Sequence, residues 1–492
     1  MRLCLVIFIF FLCKNMKYRL KMILLVVLLI ISLLFADGAI NYDWVNIAKL
    51  KTFFIRLYTG VKNDIYDNFN DADVRYDTND NSKKEDAGLE MGHIKDFLIA
   101  LDKIPEYDFQ QIIKSKNDTI NSDNNSYSDN PQSDTAYKTA TVYKRACWIS
   151  FLDIELYLCD LDEEAYRTRI GEMYDNIIEY NINTIIFHVR PMCDAVYPSE
   201  YFPNSIYISS DRSDIGYDAL QIAIEEAHSR NLSFEAWINP YRVSKSDTTT
   251  NSFKETEFYN RYKDFIIEYY NMDGELCLAL DPAKEESIEL IENGVSELLD
   301  NYDIDGIHFD DYFYVSGMAY GLSVGEKKEN INNMISRVYA LIKEKNTECE
   351  FGISPAGNMD NARNDGADID TWLSEQGYVD YIMPQLYWTD NFVTDDGELV
   401  RLYSERCQDW MDINLLDVPI YAGLALYKAG EVYENDLGWS QSDDNLSYQC
   451  DCAYTIGYDG FALFRYEWLE DETATNELEN LKKYLHLSGK VL

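Results

Sequence analysis

Positive charge is what this chain has least of: 43 Lys and Arg stand against 86 Asp and Glu, a formal net charge of −43. A surface so acidic repels phosphate backbones and anionic membranes at long range, so nucleic acid is excluded as a partner. Cysteine is no richer in information. Two of the ten lie in an apolar leader, and the other eight are scattered in no disulfide framework or zinc knuckle; Cys450 and Cys452 are too close for an unstrained bridge within a regular element. No metal or cofactor is called for. A glycine-rich phosphate turn after the first β-type run is also missing, which removes the usual dinucleotide signature.

What is present is length and apolar content, 492 residues with 47% hydrophobic side chains, enough for one large domain with additional segments. The start carries two apolar runs flanked by Lys and Arg. The second, Met22 to Phe35, is followed by the small-residue stretch Ala36-Asp37-Gly38-Ala39. Residues 1–39 therefore read as a secretory signal or, if uncleaved, a membrane anchor, and the expected location is extracellular or at the cell surface. Residues 40–143 read as a polar, largely disordered linker region, with 117–138 rich in Ser, Asn and Asp and without apolar periodicity.

The texture changes after Lys144. Eight short β-type runs occur, at 145–151, 184–190, 233–239, 306–310, 350–355, 380–388, 419–427 and 460–466, with amphipathic helical segments between them. Ile170, Met173, Tyr174, Ile177 and Ile178 form one stripe; Leu220, Ala223, Ile224 and Ala227 a second; Ile288, Ile291, Val295, Leu298 and Leu299 a third, opened by Asp281-Pro282 as N-cap and first helical residue. Eightfold strand–helix alternation predicts an α/β fold, a (β/α)8 TIM-type barrel over 144–492, with an open doubly wound sheet as the alternative.

Active sites of such barrels form at the C-terminal strand ends. Here the second run ends in Arg190, the third in Asn239, the fourth in Asp310-Asp311, and the sixth carries Gln385, Tyr387 and Trp388. Alternation along strands puts His308 and Asp310 on one face, as it does His188 and Arg190, and Glu235, Trp237 and Asn239. With Ile307 and Phe309 outward, Asp310 faces the barrel axis, where a carboxylate must be paired or functional. Arg190 is either its ion-pair partner or a substrate clamp. Trp237 and Trp388 are core packing or sugar platforms. His188 and His308 read as barrel-core histidines, His308 directly beneath Asp310 on the substrate side.

The motifs "RACWISF", "HVRPMCDAVYPSEYFP", "FEAWINPYR", "LALDPAKEESIELI", "YDIDGIHFDDYFY", "GISPAGN" and "YIMPQLYW", in that order, resemble the glycosyl hydrolase-like 10 family of bacterial exported (β/α)-barrel proteins. The resemblance implies a glycoside hydrolase acting on a polysaccharide, with bacterial cell-wall glycan as substrate class. By the family pattern Asp310 and Asp311 form the acidic fourth-strand motif, and Arg190, Asp194, Asn239, Tyr241, Arg242, Gln385 and Tyr387 fall on pocket motifs. The chain departs from that pattern at Glu235 and Cys193. Glycoside cleavage needs two carboxyl groups. Asp310 is expected as nucleophile or base, and the acid is Asp311 if the strand ends early, otherwise Asp194 or Glu235. Arg190, Asn239 and Gln385 would orient sugar hydroxyls or a muramic carboxylate. A metal-dependent polysaccharide deacetylase and a non-catalytic wall-glycan-binding barrel are the rival classes.

Overall fold

The computed structural model describes residues 143–271, 273–314 and 321–487; the expected leader and almost all of the expected linker lie outside them. Eight parallel strands are present: β1 Lys144–Ile149, β2 Thr184–Arg190, β3 Ser233–Ile238, β4 Gly306–Phe309, β5 Glu350–Ile353, β6 Tyr381–Ile382, β7 Tyr421–Leu424 and β8 Gly460–Leu463. They pair in the order β7-β8-β1-β2-β3-β4-β5-β6. Parallel bridges between Ile382 and Ile420 and between Gln385 and Gly423 close β6 onto β7. The result is the (β/α)8 barrel expected from the eight runs.

Strand alternation divides the apolar residues into two cores. Cys147, Ile149, Ile185, Phe187, Phe234, Ala236, Ile307, Phe309, Phe351 and Ile353 face the helices and merge with their buried stripes. Ala146, Trp148, Ile186, Trp237, Tyr381, Met383, Tyr421 and Ala462 fill the barrel itself. The predicted helical stripes are buried on Glu163–Glu179, Ala219–Ser229 and Glu285–Asn301, except that Ile178 lies at the exposed margin and Leu299 is partly buried.

Two local expectations fail. The third helix begins at Glu285 with no side-chain cap. Asp281 instead accepts the Ala283 N–H at 3.0 Å and its carbonyl takes the Lys284 N–H, so Asp281-Pro282 form a separate turn. In addition, the segment between β3 and β4 contains an antiparallel hairpin, Ile266–Tyr270 with Leu276–Leu280, that no periodicity announced. Among the described residues no helix is long and apolar enough to cross a membrane.

Candidate active site

β4 ends at Phe309, and the two aspartates follow immediately at the C-terminal mouth. Asp310 is turned into the barrel and buried. Its Oδ2 accepts the Trp237 indole N–H at 3.3 Å and its Oδ1 the backbone N–H of Tyr312 at 3.2 Å. Because the strand has already ended, Asp311 is released from strict alternation and meets the Gln385 side chain on the β6 side. Burial, with the charge of Asp311 adding to it, pushes the Asp310 carboxyl up to about 8. Burial also raises Asp311, against the hydrogen bond from Gln385 and the charge of Arg242. Two adjacent carboxyls that are both raised oppose each other's ionisation.

Trp237 owes its position to a flat stack on His188, with ring centroids 3.6 Å apart and planes 9° from parallel. It is a donor to Asp310 from within the barrel core, not an open sugar platform. Arg242 lies beside the pair, its guanidinium 4.0 Å from the Tyr312 ring, and its charge opposes the rise at both aspartates. Gln385 also donates to the Ser354 carbonyl at 3.0 Å. Tyr387 packs against Phe464 and Tyr427, near enough for both aspartates to add to the burial that raises its hydroxyl. Trp388 lies over Gly357, where an added Cβ would come 2.9 Å from the indole and 2.1 Å from the Gln385 carbonyl.

Several expected site residues are elsewhere, for identifiable reasons. The register between β2 and β3 slips between His188 and Arg190, so Arg190 pairs with Ile238 on the outward face. Its guanidinium stacks 3.8 Å from the Phe202 ring and against Gly294, where an added Cβ would stand 2.1 Å from Nη1. It is neither a clamp nor the partner of Asp310. Asp194 is buried in the loop after β2, where Arg212 at 3.3 Å and the Met192 N–H at 3.3 Å hold it. It anchors a loop. Asn239 ties to the Pro191 carbonyl at 2.8 Å, and Tyr241 is fully buried in the outer core.

Glu235 is on the inner face, as alternation requires, but at the wrong height. It pairs in register with Gly306, four residues before Asp310 and so roughly 13 Å lower along the strand. There it binds Lys144 at 2.5 Å, which also reaches Glu350 at 2.7 Å, and accepts the Tyr381 hydroxyl at 2.6 Å. Tyr381 in turn meets His308 Nδ1 at 2.7 Å, while the Trp148 indole reaches His308 Nε2 at 3.3 Å. An indole N–H can only donate, so Nε2 accepts and Nδ1 carries the proton given to Tyr381. Burial, with Lys144 adding, pushes His308 down to about 3. His308 is thus a neutral core residue with both nitrogens engaged, free neither for sugar nor for a metal.

The structure adds groups that the motifs did not single out. Phe151 and Tyr207 line the Arg242 side with Lys245, whose ammonium lies 4.4 Å from the Phe151 ring and 5.7 Å from that of Tyr207. Asp365, tied through its carbonyl to the Tyr314 N–H at 3.0 Å, is pushed up to about 6 by burial and then by Asp311, with Lys327 opposing. Its position in a polar loop stretch carried no periodic signal.

The acidic motif at the end of β4, the donors around it and the barrel that presents them coincide with one sequence family. Residues 144–323 and 322–441 match the model described as glycosyl hydrolase-like 10. The chain belongs to that family. Among relatives, glycosyl hydrolase YngK of Bacillus subtilis (strain 168) is 30% identical over 338 residues, 61% of this chain and 63% of that protein. Glycosyl hydrolase DigH of Escherichia coli (strain K12) is 30% identical over 305 residues, 54% of this chain and 67% of that one. The match thus spans less than two thirds of the Bacillus relative. The PgaB (BpsB) glycoside hydrolase domain from Bordetella bronchiseptica overlays with a TM-score of 0.48 at 12% identity, covering 69% of this chain and 98% of that one. In this glycosyl hydrolase-like 10 chain Asp310, buried, and Asp311, half-buried, stand side by side at the barrel mouth.

Proposed function

We propose that this protein is an exported glycoside hydrolase that cleaves a polysaccharide, bacterial cell-wall glycan, with Asp310 and Asp311 as its carboxyl pair. The observation that carries the reading is Asp310 itself, a buried carboxyl at the C-terminal end of a barrel strand with an N–H donor on each oxygen. The two N–H donors favour the ionised form, against the burial and the Asp311 charge that raise the carboxyl. Burial and Asp311 oppose ionisation, and a positively charged, oxocarbenium-like transition state relieves that opposition. Asp310 attacks the anomeric carbon or directs a water to it. Asp311, whose ionisation burial also opposes, donates a proton to the leaving oxygen. Asn239, Tyr241, Arg190 and Glu235 support the walls and floor around this pair and take no chemical part.

Export and a tether through the apolar leader belong to the same proposal, resting on the Lys- and Arg-flanked leader and the Asn- and Ser-rich stretch that follows it. The test is mass spectrometry of products formed from purified, peptide-free cell-wall glycan. Shortened oligosaccharides, absent with folded Asp310→Asn, are expected. Removal of acetyl groups without chain cleavage would sink the hydrolase reading in favour of a deacetylase. Retention of intact glycan on the protein, with no product, would favour a binding module.

A further inference from the structure

Two cations share one side of the barrel mouth. Phe151, just past the end of β1, lies 4.4 Å from the Lys245 ammonium and 5.9 Å from the Arg242 guanidinium. Tyr312 covers Arg242 and Tyr207 flanks Lys245. Neither cation makes an ion pair among the described residues, and the buried Nε of Arg242 has no hydrogen-bond partner there. In a chain where carboxylates outnumber cations two to one, this needs a reason. Several other partly buried cations of the barrel are paired, Arg212 with Asp194, Lys328 with Asp368, Arg363 with Asp370 and Arg465 with Asp153; Arg190, which also lacks a partner among the described residues, lies away from the mouth against Phe202 in the outer core. Holding two like charges together on aromatic faces, partly out of water, is unfavourable unless an anion joins them.

The groups facing Lys245 bear this out. Burial and then Arg242 lower its proton affinity, while Glu155 and Glu275 act on it only from beyond ion-pair range. Asp310 and Asp311 act on Arg242, but no carboxylate among the described residues stands at ion-pair distance from either cation, so an anion bridging the two comes from outside. It must approach beside Asp310 and Asp311, whose residual charge repels it, and the two cations offset that repulsion. A planar carboxylate suits a guanidinium edge paired with a point ammonium.

We propose that Arg242 and Lys245 form a subsite for a carboxylate borne on a sugar of the substrate, so that the enzyme selects an acidic glycan over a neutral one. This rests on the glycoside hydrolase reading and deepens it. Phe151 and Tyr207, both buried, fix the position of the Lys245 ammonium from beneath.

The probe is peptide-free cell-wall glycan, used as purified and after carbodiimide conversion of its carboxyl groups to methylamides. Wild-type kcat/KM is expected to favour the free acid by about 10- to 100-fold, the range of one or two charge-assisted hydrogen bonds. Lys245→Met keeps the stem over Phe151 and Tyr207 and should shrink that preference mainly through KM; Lys245→Arg should restore it. Cleavage of both forms within about twofold by the wild type would overturn the subsite. A wild type that cleaves neither form defeats the hydrolase reading instead. Affinity electrophoresis through the two glycans then decides the subsite separately: retardation by the free acid alone supports it, and equal retardation overturns it.

Discussion

Replacing Asp310 with asparagine removes a charge that the fold resists, so the variant should lose activity and gain stability. In the folded protein burial, and after it Asp311, carries the Asp310 carboxyl from an ordinary 3.8 to about 8. A carboxyl raised in this way contributes stability that is present at low pH and lost as pH climbs from about 4 to about 8, because the unfolded chain ionises first. Each tenfold change in proton affinity is worth about 1.4 kcal/mol, which sets a ceiling of roughly 5 kcal/mol on that loss. Asp311 shares the burden, and asparagine leaves one of the two N–H donors, Trp237 or Tyr312, facing an amide NH₂ at a cost of about 1 kcal/mol. A net gain of roughly 1–3 kcal/mol at pH 8 is expected, shrinking toward zero or below at pH 4. Urea denaturation of wild type and variant across pH 4–9, followed by circular dichroism, measures the difference directly. A variant equally or less stable at pH 8, with a pH-independent difference, would refute the placement of a costly charge at Asp310. In the same preparations glycan cleavage should fall by about 10²–10⁴.

Trp237→Phe keeps the stack on His188 but deletes the indole N–H on Asp310. The Asp310 carboxyl should rise further, so the limb of the kcat/KM profile that follows its ionisation moves to higher pH, with a loss of about fivefold at neutrality; an unmoved limb would contradict the hydrogen bond. Glu235→Gln weakens the Lys144 pair at the opposite end of the barrel and should cost about 1–3 kcal/mol in denaturation. Its kcat should stay within about threefold of wild type, whereas a catalytic acid would lose far more. Asp153→Ala removes one of the two carboxylate partners of the buried Arg465, at 2.5 Å, leaving Glu467, and also breaks the capping box of the helix Phe151–Tyr157. A loss of about 3–5 kcal/mol is expected, and a loss below 1 kcal/mol would show that water replaces the carboxylate.

The eight strands were legible because each is a short apolar run bounded by polar turns, and alternation correctly turned Ile307 and Phe309 outward and Asp310 inward. Alternation states a face, however, and says nothing of height. Glu235 and Asp310 share the barrel interior but belong to different layers, and only the β3–β4 register, Glu235 against Gly306, reveals it. It also presumes an unbroken strand. The slip after His188 costs one residue and turns Arg190 from the axis to the helices, with nothing in "TIIFHVR" to mark the bulge. Lys245 and Asp365 went unseen for a different reason. They lie in loops, where position follows from the chain's tertiary path and no periodicity reports it.

The layers of the barrel interior also explain how the mouth keeps its electrostatics to itself. At the bottom, Lys144 answers Glu235 and Glu350, and His308 donates to Tyr381, which donates in turn to Glu235. Had His308 been protonated, a full positive charge would lie one layer beneath Asp310 and stabilise its ionised form. Burial and Lys144 keep the imidazole neutral instead, and Trp148 and Tyr381 satisfy both its nitrogens without supplying a charge. The bottom ion cluster is thereby separated from the Asp310–Asp311 pair by an uncharged layer. Asp310 then takes its proton affinity chiefly from burial, Asp311 and Arg242, with the Tyr312 N–H and the Trp237 indole opposing the rise, and the first three are open to change by an entering substrate. A carboxyl tuned by groups at the mouth responds to substrate, whereas one tuned from the core would not.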